Sequence, residues 1–181
     1  MPADVTQAPS PNNMPQPFPC PTGTVMVGLT GAITGGNAWG TLAPECTTLS
    51  VGSPDAGLLV TTGSALTMGP VTGTGLPVST TIVECPSGSA VTSFTGQVDN
   101  GNFLRNVTLE CTAVAITYSA PDHYTVAVIG PTSLDAGTSG GSTPLTPYSA
   151  MCPMNDVACG ISATGGGAPL LYGLQCAPLA P

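Results

Sequence analysis

Residues Cys85–Cys111 read CPSGSAVTSFTGQVDNGNFLRNVTLEC, and the same outline recurs at Cys20–Cys46 (CPTGTVMVGLTGAITGGNAWGTLAPEC) and Cys152–Cys176 (CPMNDVACGISATGGGAPLLYGLQC). Proline follows the first cysteine each time (Pro21, Pro86, Pro153), and a residue tolerant of positive φ stands three positions on (Gly23, Gly88, Asn155). A glycine lies ten positions before the second cysteine (Gly36, Gly101, Gly166), and Glu45, Glu110 or Gln175 immediately before it.

Each unit reads as two strands around a Gly-rich turn. The first strands are Thr24–Leu29, Ser89–Phe94 and Asp156–Ile161; the second are Thr41–Glu45, Leu104–Glu110 and Leu170–Gln175. Val107 and Leu109 alternate with Asn106, Thr108 and Glu110, the period of a half-buried strand. No run of helix formers with a 3.6 period appears.

The cysteine-to-cysteine period is 65 and then 67 residues, and the connectors repeat as well, with Pro54-Asp55 and Pro121-Asp122 each 31 residues before the next unit. The division is an arm over 1–19 and an all-β domain over 20–181, with repeats 20–84, 85–151 and 152–181. Such units bury their apolar faces on one another. The repeats suggest the pairings Cys20–Cys46, Cys85–Cys111 and Cys152–Cys176, each closing a loop worth roughly 3.5 kcal/mol. Cys159 is left over, either a buried thiol or a partner for another chain or for Cys152. Seven cysteines place the chain outside the cell, secreted or at the surface.

Composition sets limits on function. The chain has no lysine, one arginine (Arg105) and one histidine (His123) against nine acidic residues, for a net charge of −8. No basic patch can form to hold nucleic acid, and no apolar run reaches the roughly 20 residues of a membrane helix. Only 6% of the residues are charged, against about 25% in ordinary soluble domains. Such a surface must be covered by Thr, Ser and Asn, by glycans, or by neighbours.

Residues 1–19 hold six prolines and read as an extended arm. With 19 residues before Cys20 and five after Cys176, a threefold object lacks one connector. Either the arm fills that gap within its own chain or a neighbour's segment does.

A unit opening C-P-x-G, running through V-x-x-G-[LIF] (Val25–Leu29, Val157–Ile161), then a Gly turn and an apolar strand ending in Cys, resembles secreted β-prism repeat proteins. These are the jacalin-like lectins and the vitelline membrane outer layer type. Residues Thr138–Cys152 (TSGGSTPLTPYSAMC) are similar to the Gly-Gly lead-in of such repeats. The resemblance implies three four-stranded sheets about a pseudo-threefold axis, a two-sheet sandwich being the alternative, and it carries no ligand residue over.

Candidate chemistry is sparse. Gly137–Gly141 fits G-x-S-x-G near His123, Asp122 and Asp135, but Pro144 and Pro147 follow where a nucleophile elbow needs a helix. Asp55-Ala56-Gly57 and Asp135-Ala136-Gly137 read as repeated turns rather than an acid dyad. Asp55, Asp99, Asn100 and Asp122 lack calcium-loop spacing, so no metal or cofactor is expected. Arg105 is expected to pair with Glu110 or Glu45. Asn106-Val107-Thr108 is an N-glycosylation sequon. Trp39 aligns with Leu104 and Pro169, ordinary apolar positions, and reads as core or turn packing; the alternative makes Trp39, with Asn37 and Asn102 at matching turns, a sugar contact.

The expected function is therefore non-enzymatic: an extracellular structural or assembly subunit of a filament, sheath or surface layer. It would polymerise through its arm and weakly charged faces. A secreted carbohydrate-binding module is the alternative.

Overall fold

The computed structural model describes residues 3–6, 14–34, 38–51, 60–67, 71–72, 77–100, 103–119, 123–138, 144–164 and 170–179. In chain order the strands are β1 (Ala3–Thr6), β2 (Gln16–Pro19), β3 (Val25–Thr34), β4 (Trp39–Thr47), β5 (Leu49–Val51) and β6 (Val60–Thr62). Then follow β7 (Leu66–Thr67), β8 (Val71–Thr72), β9 (Pro77–Glu84), β10 (Ser89–Val98), β11 (Leu104–Ser119) and β12 (His123–Thr138). The last three are β13 (Thr146–Met151), β14 (Asp156–Thr164) and β15 (Leu170–Pro178).

Every element among the described residues is a strand. Three antiparallel sheets are built around the hairpins β3–β4, β10–β11 and β14–β15, and a small β5–β6 hairpin stands beside them. The sandwich alternative is set aside. The strand entering each hairpin follows a tight turn after the cysteine: Thr24, Ser89 and Asp156 donate their N–H to Pro21, Pro86 and Pro153. Gly23, Gly88 and Asn155 take φ of 81°, 77° and 67° there, the positive value a type II turn needs at its third residue.

Disulfides join Cys20 to Cys46, Cys85 to Cys111 and Cys152 to Cys176, one across each hairpin. The inner faces share one core in which Met26, Leu29, Trp39, Leu42, Phe94, Leu104, Leu109, Ile161, Leu171 and Leu174 are fully buried. Each such side chain contributes roughly 1.5–3 kcal/mol of burial. A second, smaller cluster of Val25, Val27, Ala90, Val114 and Val157 closes the cysteine end.

Two findings refine the sequence reading. Of the two destinations left open for the arm, the one within its own chain is found: β1 pairs with β15 and β2 with β14, so residues before Cys20 supply both flanks of the third sheet. The middle hairpin is also longer than expected. Instead of ending at Glu110, β11 runs on to Ser119 and pairs with β12 as far as His123. The β-branched and aromatic run after Cys111 finds a partner of the same character in the run that begins at His123.

Candidate functional site

The chemistry gathers at the hairpin-turn end, away from the disulfides. Two contacts between units bring the turns together there. The Trp39 indole Nε1–H donates to the Arg105 carbonyl at 3.2 Å, joining the first turn to the second. The buried Tyr148 hydroxyl, on β13 opposite Gly96, donates to the Leu171 carbonyl at 2.7 Å, joining the second sheet to the third. Burial pushes the Tyr148 phenol well above its ordinary pKa, so it stays a neutral donor.

The middle turn is the one with a built polar centre. Asp99 closes it: its N–H donates to the Phe103 carbonyl at 3.2 Å, and its Oδ1 accepts the Phe103 N–H at 3.0 Å. Its Oδ2 accepts from Arg105 Nε at 2.9 Å and Nη2 at 2.5 Å, with the two side chains 8% and 15% exposed. The guanidinium carbon also lies 5.8 Å from the centre of the Phe103 ring, within cation–π range. Phe103 as a residue is 41% exposed. The result is an accessible aromatic ring beside a charge-compensated carboxylate, flanked by exposed Asn100.

Sequence expectations are decided here. Trp39 is 1% exposed, so its core reading stands and the sugar-contact alternative, which needs an open face, does not. Arg105 pairs with Asp99 across the turn rather than with Glu110 or Glu45. Those acids are taken by hydroxyls: Glu110 accepts from Ser93 Oγ, and Glu45 from Thr67 Oγ1 at 2.8 Å. Asn37, Asn102, Asp55, Asp122 and Ser139–Gly141 lie outside the described residues, while Gly137 and Thr138 end β12.

Among the described residues, no group of three His, Cys, Asp or Glu side chains could hold a metal. Cys159 is a free, half-buried thiol, its pKa raised by burial and by nearby Asp156 against a lowering backbone hydrogen bond. Asn106 donates through Nδ2 to Gln97 Oε1 at 2.5 Å.

Phe103 is the functional candidate that sequence reasoning misses. The available signal is an aromatic residue directly after an Asp-Asn-Gly-Asn turn, two positions before the only arginine.

No protein-family model and no curated protein matches the sequence. Solved structures do match the fold. Calystegia sepium agglutinin superposes with a TM-score of 0.60 at 18% identity, over 99% of this chain and 98% of that one. The artocarpin–mannotriose complex gives 0.56 at 13%, over 97% of both chains. The fold is the jacalin-like β-prism. A single-chain recombinant jacalin itself superposes with a TM-score of 0.56 at 12% identity, covering 98% of this chain and 95% of that one. The prism similarity thus includes the N-terminal strands and all three sheets.

Proposed function

We propose that the chain is a secreted, non-enzymatic carbohydrate-binding module whose sugar contacts lie at the middle turn. The observation that carries this reading is the likeness, along nearly the whole chain, to lectins such as the artocarpin solved with mannotriose. The exposed Phe103 ring is the basis for choosing that turn. An aromatic face stacks on the C–H side of a pyranose, while Asp99, Arg105 and Asn100 offer hydrogen bonds at its edge. Three disulfides fit an oxidising compartment.

The assembly reading loses its main support, because the arm is spent on its own sheet. A glycan array followed by calorimetry on the best sugar tests the lectin reading. Binding by the wild type that Phe103→Ala weakens, with an unchanged melting curve, is the expected result. Silence across the array would end it, and binding indifferent to Phe103→Ala would move the site elsewhere.

A further inference from the structure

The geometry points to Asn106 as an N-glycan attachment site on the outer face of the middle sheet, one residue from the candidate sugar site. The sequon Asn106-Val107-Thr108 lies within β11. Val107 and Leu109 are buried in the core, and Asn106 and Thr108 stand half-buried on the opposite face. Across the sheet Asn106 is in register with Gln97 and Thr138, and Gln97 in turn with exposed Pro147. Asn106, Gln97 and Pro147 thus form a row on the outer face, where Asn106 is half-buried and its Oδ1 is covered with no hydrogen-bond partner, so the amide must turn outward to take a bulky, soluble group.

The amide chemistry is compatible with attachment. Nδ2 carries two hydrogens, and one donates to Gln97 Oε1. In the transfer, Nδ2 forms a bond to the anomeric carbon of an oligosaccharide, whose bond to its polyprenyl diphosphate carrier breaks. The carrier diphosphate leaves, and the displaced proton passes to the transferase's base. The secondary amide that remains keeps one N–H, enough for the Gln97 bond.

A second observation makes such a group useful. With no lysine and only 6% charged residues, the chain has few ionic groups to keep its faces in water. A glycan on the broad outer face of a sheet supplies hydration that the side chains do not. The inference shares with the lectin reading only the secretory route, so failure of one is distinguishable from failure of the other.

The test is to express the full chain in a eukaryotic secretory host and map its peptides by mass spectrometry before and after peptide-N-glycosidase. Expected are a heterogeneous added mass on the peptide bearing Asn106, its loss on digestion with conversion of Asn106 to aspartate, and its absence in Thr108→Ala. Thr108→Ser keeps the sequon and should keep the glycan. Secreted, disulfide-complete wild type whose Asn106 peptide has the bare mass would overturn the inference. Because that measurement is made on the wild type, it holds whether or not either variant folds.

Discussion

The carbonyl of Cys159 accepts the backbone N–H of Cys20 at 2.7 Å, tying the third repeat back to the start of the first. The same bond links the other neighbours: Val27 to Cys85 at 2.6 Å and Thr92 to Cys152 at 2.8 Å. Val27, Thr92 and Cys159 each sit at a register shift in their hairpin, and a bulge turns the carbonyl out of the ladder. The three units thus close a ring of backbone bonds, with Cys159 filling a position that its counterparts fill with valine and threonine. Successive N–H groups along a strand alternate in direction. Since Cys20 points inward, Phe18 and Gln16 do too, and the nitrogens of Pro17 and Pro19 face outward, where no donor is needed. An edge without outward donors is a poor template for another strand.

Deleting residues 1–19 removes β1 and β2 and bares both flanks of the β14–β15 hairpin. The expected cost is on the order of 3 kcal/mol or more, a fall of about 6–12 °C in Tm for a chain of this length. It should come with rapid cleavage within 156–178 by a nonspecific protease. A truncated chain melting with the wild type would show that the cis strands contribute nothing.

Two aromatic rings pack against glycines, and neither arrangement tolerates a methyl group. A Cβ on Gly96 would sit 2.5 Å from Tyr148 Cζ, and one on Gly31 would sit 2.4 Å from Trp39 Cζ3. Gly96→Ala should expel the Tyr148 ring, break its bond to the Leu171 carbonyl and cost about 1–3 kcal/mol. The combination Gly96→Ala with Tyr148→Ala should cost less than the sum of the two single changes, as read by denaturant unfolding.

Much of this frame is legible in the sequence, because its signals are local. The Pro-x-Gly turns require a positive φ, the cysteines recur at a fixed spacing, and strand alternation shows which face is buried. What escapes depends on contacts distant in sequence. Alignment with Leu104 and Pro169 marks Trp39 as a packing residue, but its bond to the Arg105 carbonyl of the next repeat has no local signal. Arg105 is set against Glu110 or Glu45 when only sequence is weighed, although alternation puts residues 105 and 110 on opposite faces of β11; the turn instead brings Asp99 to it. The destination of the arm is undecidable from composition, since a proline-rich edge strand and a free tail look alike.

Alkaline pH should destabilise the fold through Tyr148. Its phenol has a raised pKa when folded, so the native state holds its proton more tightly than the unfolded chain does. The associated stability is complete below the unfolded value near 10 and falls as pH rises beyond it. Tyr148→Phe should lose roughly 1 kcal/mol at neutral pH from the Leu171 bond and show a shallower decline between about pH 10 and 11.5. The Cys159 thiol is also raised, so the comparison belongs in a Cys159→Ala background. Equal slopes in the two proteins would contradict the assignment.

The charge balance at the middle turn predicts what it will and will not bind. Arg105, the only Lys or Arg in the chain, is compensated by Asp99, while the whole molecule carries −8. A sulfated or sialylated glycan would meet a repelling field and no uncompensated cation, so uncharged glycans should bind and heparin should not. Binding should change little between low and physiological salt, because no net ion pair forms with the ligand. Phe103→Ala should weaken it by about 1–1.5 kcal/mol, roughly tenfold in Kd, without lowering Tm. Arg105→Ala is expected to behave differently. It leaves the 8%-exposed Asp99 carboxylate without its partner and should destabilise the fold by about 3 kcal/mol. Asp99→Asn with Arg105→Gln, which removes both charges, should recover much of that loss. Calorimetry at two salt concentrations, with melting curves for each variant, separates contact with the sugar from support of the turn. Affinity that rises for anionic glycans, or that survives Phe103→Ala unchanged, would remove Phe103 and its neutral ion pair from the binding site.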